Sequence, residues 1–180
     1  MTTIFTCGSL SDRSIRHVLP EALAQYGGVQ YFNGSELFRL GPHPPRFLVY
    51  EWDALPEESC VKGILLFKNS FSPLAGHPLP AGLFPIFEAR NRVVSHFLQG
   101  TGAAAVACGT SPRDTLSLAS LDYHCALVSL QRCITTLDGF RIEPAEIPVS
   151  LSHPKSPHQI LAAVSVLLLS GVPWENGYAF

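Results

Sequence analysis

Charge is scarce in this sequence, and neither sign dominates. Only 14% of the 180 residues are charged, with 12 Lys and Arg against 14 Asp and Glu, a formal net charge of -2. A nucleic-acid-binding domain usually carries a basic excess to meet phosphates, and here there is neither an excess nor a Lys/Arg run. Long hydrophobic runs are missing too. The longest, Ile160 to Leu169, falls far short of the ~20 residues that cross a bilayer. The opening Met1-Thr2-Thr3-Ile4-Phe5-Thr6-Cys7 has no basic n-region before an apolar stretch, so no signal peptide is expected. There is no cysteine framework either. Cys7, Cys60, Cys108, Cys125 and Cys133 are odd in number and show no CxxC or zinc spacing. Reduced thiols in a cytoplasmic protein are the simplest expectation, with no nucleic-acid and no membrane partner.

Apolar residues are plentiful, at 47%. That composition argues for a packed core rather than disorder, and the length suits one domain, 1–180, with no linker to divide it. Thr2 to Cys7 reads as a buried strand running into Gly8-Ser9. Asp12 to Tyr26 carries a helical stripe at Ile15, Val18, Leu19, Leu23 and Tyr26, with Ser11 or Asp12 as its cap and Pro20 as a kink or delay. Val29 to Phe32, Arg46 to Glu51, Gly63 to Lys68, Leu83 to Phe87 and Ala103 to Cys108 read as further strands, with a short helix at Arg90 to Leu98. Gly41 to Pro45 and Asn69 to Gly82 read as loops.

The pattern then changes. Thr115 to Leu121 and His124 to Leu130 read as strands, and Cys133 to Thr136 and Arg141 to Val149 flank a hairpin signal at Asp138-Gly139. Pro157 to Ser170 is a nearly all-apolar helix, stopped by Gly171 and Pro173, with a tail from Trp174 to Phe180. The expected fold class is therefore α/β. It is a mostly parallel, Rossmann-like or P-loop-like sheet flanked by helices, with an antiparallel hairpin extension near the C-terminus.

Three groups of residues have types that carry chemistry. The turn Gly8-Ser9-Leu10-Ser11-Asp12-Arg13-Ser14 joins a strand to a helix, a place where backbone N–H groups and the helix dipole favour an anion. A phosphate-binding P-loop also needs a second glycine, a lysine and a Ser/Thr. Ser14 offers the hydroxyl and Arg13 stands near the lysine position, but the second glycine is absent and Asp12 adds negative charge. A strand–helix turn without a ligand is the other reading. Glu51 and Asp53 end a buried strand at the edge where α/β sheets bind ligands. They read either as magnesium ligands or as the first solvated residues after the strand. Cys7 and Cys108 end strands beside glycines, but a nucleophilic cysteine needs a histidine base. The histidines at 17, 43, 77, 96, 124, 153 and 158 form no recognisable catalytic or metal signature.

The order of pieces resembles the central, nucleotide-binding domain of the Mur ligase family. The resemblance runs through AAVACG, DTLSLAS, the hairpin and the helix SPHQILAAVSVLLLSGVP, where His158-Gln159 stands at the place of the family's histidine-asparagine pair. TCGSLSDRS stands where the family has its phosphate loop. LVYEWD places Glu51 at its magnesium-binding glutamate, and ILLFKNS places Asn69 at the start of its Asn-x-x-x-Asp-His segment. The departures are the absent loop lysine and second glycine, the absent Asp-His and the absent metal-bridging lysine segment, and no flanking substrate or ligase domain is expected.

The resemblance thus implies a candidate anion or nucleotide site of Gly8, Ser9, Ser11, Arg13, Ser14, Asn69 and His158, with Glu51 as a metal candidate. No catalytic residue is assigned, and ATP with magnesium is disfavoured. The expected function is a non-catalytic, Mur-ligase-like binding or partner module, with residual nucleotide or cell-wall-precursor binding as a capacity it could retain. The alternatives are a nucleotide-dependent enzyme using the Gly8–Ser14 turn or a cysteine-dependent hydrolase. The apolar helix Pro157 to Ser170 needs cover on every side, from the sheet and either the tail Trp174 to Phe180 or a homo-oligomer or protein partner at or near it.

Overall fold

The computed structural model describes residues 1–41, 44–56, 62–73 and 77–180. His43, Cys60 and parts of the two loops read from Gly41 to Pro45 and from Asn69 to Gly82 lie outside them.

The first half alternates strands with helices and loops: β1 (Thr2–Cys7), α1 (Val18–Ala24), β2 (Gly28–Phe32), β3 (Leu37–Leu40), β4 (Pro45–Trp52), β5 (Gly63–Phe67), β6 (Leu83–Glu88) and α2 (Arg92–Leu98). The second half holds β7 (Val106–Gly109), β8 (Leu116–Leu121), β9 (Cys125–Leu130), β10 (Ile134–Thr135), β11 (Arg141–Ile142), β12 (Ala145–Ser150), α3 (Pro157–Leu169) and β13 (Tyr178–Ala179). Eleven strands form one sheet in the order β13-β12-β9-β8-β7-β6-β5-β1-β4-β2-β3. Pairing is parallel from β2 through β4, β1, β5, β6 and β7 to β8, then antiparallel for β8 with β9 and β9 with β12. The mostly parallel α/β sheet with its antiparallel extension is the fold expected from the sequence.

Alternate residues of a strand face opposite sides of the sheet, and the two packed clusters follow that alternation. Ile4, Val49, Ile64 and Leu66 pack with α1 and α3, while Phe5, Cys7, Leu65 and Phe67 pack with Val94, Phe97 and Leu98 of α2. The sheet is thus covered by α1 and α3 on one face and by α2 on part of the other.

Several boundaries differ from the sequence reading. The first helix starts at Val18, not Asp12, and its N-cap is His17 without a side-chain cap. Pro20 explains the delay, because a residue without N–H is tolerated only in a helix's first turn. Asp12 and Ser11 are left in the turn. Residues 103–105 stay outside β7. The hairpin at Asp138-Gly139 forms, but only β10 and β11 build it, as a separate two-stranded sheet. Residues 145–150 instead return to the main sheet against β9. Strands β3 and β13 are additions to the sequence reading. Both are short edge strands with little pattern to reveal them.

Helix α3 is buried from Ile160 to Ser170 within its own chain. It packs on α1 and on β5 to β8, and the tail residues Val172, Trp174, Tyr178 and Phe180 close over the same cluster. The expected contact between this helix and a partner therefore loses its motive: the sheet and the tail supply the cover themselves. No described helix is long and apolar enough to cross a membrane.

Candidate functional site

The C-terminal ends of the parallel strands bring most of the candidate residues to one edge. Strand β1 runs into Gly8, and the turn that follows is closed by its own groups. The Gly8 N–H donates to the Trp52 carbonyl at 3.0 Å, the Ser9 N–H to Ser70 Oγ at 3.1 Å, and the Ser11 N–H to Ser9 Oγ at 3.3 Å. The Asp12 N–H donates to the Ser9 carbonyl at 3.0 Å, and the Ser14 N–H to Asp12 Oδ1 at 3.1 Å. An anion needs such N–H groups free; here five of them already have acceptors inside the protein.

Asp12 is the organiser of this closure. It also accepts from Ser14 Oγ at 2.6 Å and from Ser70 Oγ at 2.8 Å. Burial works to raise its pKa, but the hydrogen bonds from Ser14 and Ser70 and the charge of Lys68 outweigh that and hold it below the ordinary value. Asp12 is thus a carboxylate at neutral pH, sitting where a phosphate would have to come. Arg13 is exposed beside it.

Lys68 completes the turn from outside. Its Nζ donates to the Ser9 carbonyl at 3.1 Å and to the Asp12 carbonyl at 2.9 Å, and its third contact is an ion pair with Glu51 Oε1. An ammonium has three donors, and all three are met. Glu51 Oε2 accepts in turn from the Tyr31 hydroxyl. Glu51 and Lys68 are both fully buried, at 1% and 0% exposure. Gly8 makes this approach possible: its φ is +145°, and a Cβ there would lie 2.7 Å from the Lys68 Cβ. Glu51 is therefore not the first solvated residue after its strand. With both oxygens engaged, it does not fit a magnesium ligand, and the turn does not fit a nucleotide phosphate. Among the described residues, no group of three or more His, Cys, Asp and Glu is arranged to hold a metal ion.

Sequence reasoning missed Lys68 and Tyr31. Lysine is almost never fully buried unless paired, so a lysine closing the apolar run GILLFK was the available signal.

A second place lies next to the turn. A cleft of about 200 Å³ opens between the ends of β6 and β7 and the start of α3, lined by Glu88, Arg90, Cys108, Thr110, His158 and Leu161 among others. Asn69 donates its amide to Glu88 Oε2, and His158 Nδ1 lies 3.3 Å from the same oxygen. Arg90 Nη2 donates to Thr110 Oγ1 at 3.3 Å. Burial lowers the His158 pKa and outweighs the opposing pull of Glu88 and Asp12, so its imidazole is neutral at pH 7. Turn and cleft are joined by Gln159. Its Nε2 donates to the Ser14 carbonyl at 2.8 Å, while its Oε1 and N–H complete a capping box with Ser156. The candidate residues thus divide into two groups: Gly8 to Ser14 with Glu51, and Asn69 with His158.

The buried cysteines hydrogen-bond to other groups than a histidine. Cys7 donates to the Ala54 carbonyl, and Cys108 shares a hydrogen bond with Ser165. Burial pushes both thiols up to about 12. Among the described residues, neither thiol has a histidine partner.

No protein-family model matches the chain, and no curated protein matches it in sequence. Solved structures do. A UDP-N-acetylmuramoyl-L-alanyl-D-glutamate–2,6-diaminopimelate ligase superposes with a TM-score of 0.54 at 11% identity, covering 98% of this chain and 45% of that one. A murein peptide ligase from Psychrobacter arcticus superposes with a TM-score of 0.59 at 12% identity, covering 97% of this chain and 45% of that one. The fold is Mur-ligase-like. At such low identity the likeness is one of fold, and the chain spans less than half the length of either ligase. Glu51 near the end of β4, Asn69 just after β5 and His158 at the start of α3 all lie at the edge where the parallel strands end. The buried positive charge at the turn comes from Lys68 beside β5, while Arg13 of the turn itself is exposed.

Proposed function

We propose that this chain is a non-catalytic, Mur-ligase-like domain that acts as a binding or partner module. The observation that carries this reading is the closure of the Gly8–Ser14 turn by Lys68. Phosphoryl transfer depends on positive charge and free N–H groups placed around the phosphates. Here the lysine charge is spent on Glu51, the N–H groups of Gly8, Ser9, Ser11, Asp12 and Ser14 on internal acceptors, and Asp12 repels what remains. Arg13 alone supplies too little. The nucleotide-dependent enzyme is disfavoured on that ground, and the cysteine hydrolase by thiols that stay protonated at neutral pH. The Mur-ligase-like fold and the open cleft beside the turn support binding as the retained role.

Isothermal titration with magnesium-ATP tests the reading. Binding is expected to be undetectable, for the wild type and for Arg13→Ala alike. A low-micromolar dissociation constant that Arg13→Ala abolishes, or measurable ATP turnover, overturns it.

A further inference from the structure

An open sheet edge is a template for another strand, and proteins blunt such edges with short strands, prolines, lysines or bulges. One edge of this sheet follows that rule, since β13 has only two residues. The other does not. β3 has four residues, Leu37–Leu40, with no proline, no lysine and no bulge against β2.

The register of β3 decides which of its groups face outward. The Asn33 N–H donates to the Glu36 carbonyl at 3.2 Å, so the pairs that exchange hydrogen bonds across the two strands are Tyr31 with Phe38 and Val29 with Leu40. The N–H and C=O of Leu37 and Arg39 therefore point away from β2. Among the described residues, neither makes a further backbone hydrogen bond. Their side chains lie on the sheet face that α1 and α3 leave uncovered. Leu37 is 65% exposed there, beside Phe32 of β2. On the opposite face Phe38 is half-buried and stacks on Tyr31, with ring centroids 4.6 Å apart.

This edge complements itself. In an antiparallel pairing centred on Phe38, Leu37 of each copy exchanges both backbone hydrogen bonds with Arg39 of the other. Phe38 then faces its own counterpart, an aromatic pair at the position where opposed side chains come closest. The arginine stem of each copy lies along the exposed Leu37 of the other and covers apolar surface while its charge stays in water. Centring on Arg39 sets like charges opposite each other, which disfavours that register. Centring on Leu37 carries Arg39 of the second copy onto Ser35, outside the strand.

We propose that two copies of this chain associate through β3, continuing the sheet across a two-fold axis. This goes beyond the reading of the chain as a binding module and does not depend on ATP. A four-residue strand with its neighbouring side chains offers less than the roughly 1,200 Å² of a stable interface, so the dimer is weak, with a dissociation constant on the order of 0.1 mM.

The test is sedimentation of the intact chain over a series from about 0.01 to about 1 mM, with amide hydrogen exchange at both ends of the series. The mean mass is expected to rise with concentration, and the Leu37 and Arg39 amides to gain protection while Phe38, already bonded to β2, changes little. Arg39→Pro removes an outward N–H without taking a bond from β2, and Leu37→Lys puts a charge on the exposed position. Each is expected to weaken association by about tenfold or more with unchanged circular dichroism. If a variant unfolds, exchange in the wild type decides alone. A mass that stays monomeric throughout overturns the proposal and leaves the edge to a strand of another protein. A dimer that both folded variants retain, or one that adds no protection at Leu37 and Arg39, overturns it by placing the contact elsewhere. The magnesium-ATP titration reports separately: a monomer that ignores ATP remains a binding module, whereas tight ATP binding removes that reading whatever the mass.

Discussion

Lys68 and Glu51 reach each other from opposite sides of β1 and form an ion pair shielded from solvent. Glu51 is the penultimate residue of β4 on one side, and Lys68 follows β5 on the other. Burying two charges costs more than their attraction returns unless every remaining donor and acceptor is met. Here the Ser9 and Asp12 carbonyls and the Tyr31 hydroxyl meet them.

Removing one partner should therefore harm more than removing both. Lys68→Met leaves a buried carboxylate unpaired and is expected to cost roughly 3–5 kcal/mol in urea unfolding. The double variant Lys68→Met, Glu51→Gln should be more stable than Lys68→Met alone. A double variant less stable than the single one would show that the pair is not what holds this corner.

The hairpin of β10 and β11 turns at Gly139, whose φ is +88° and where a Cβ would meet no atom within 4 Å. Steric room is ample, so only the backbone conformation resists a side chain. Gly139→Val is expected to lower stability by about 1–2 kcal/mol, read as a drop in Tm, and Gly139→Asn by less. An unchanged Tm in the valine variant would refute the positive-φ requirement.

Helix α3 is a core element of its own chain. Leu168 is 0% exposed, so Leu168→Glu places a charge where nothing can pair with it. The cost is expected to rival the whole ~5–15 kcal/mol stability of a domain. Circular dichroism should show an unfolded chain. A folded variant whose mass by light scattering falls would instead place this helix between subunits.

His158 gives the fold a pH dependence of definite sign. Its folded-state pKa lies below the ordinary 6.5 because burial disfavours the imidazolium. The resulting stability is complete above that ordinary value and is lost as pH falls through the lowered folded pKa. Tm is therefore expected to decline on acidification from about pH 7 toward about 5 for the wild type, and less steeply for His158→Gln. Parallel curves would assign the slope to other groups.

Much of the architecture was legible in the chain because it rests on local pattern. The apolar runs of β1, β4, β5 and β6, the Asp138-Gly139 turn and the all-apolar α3 each declare themselves within a short stretch of chain. The edge strands β3 and β13 do not, since pairing with β2 and β12 rather than their own composition makes them strands. At the site, Gly8, Glu51, Asn69 and His158 were visible from strand ends and from the family-like order of pieces. Lys68 and Tyr31 were not, because their importance depends on which strands flank β1. Strand order is a long-range property: it brings together Tyr31, Glu51 and Lys68, whose local sequences carry no mark of one another. The residues alone determined that a Gly-Ser turn would follow β1. Only the tertiary structure decided that a lysine from the end of β5 would close it.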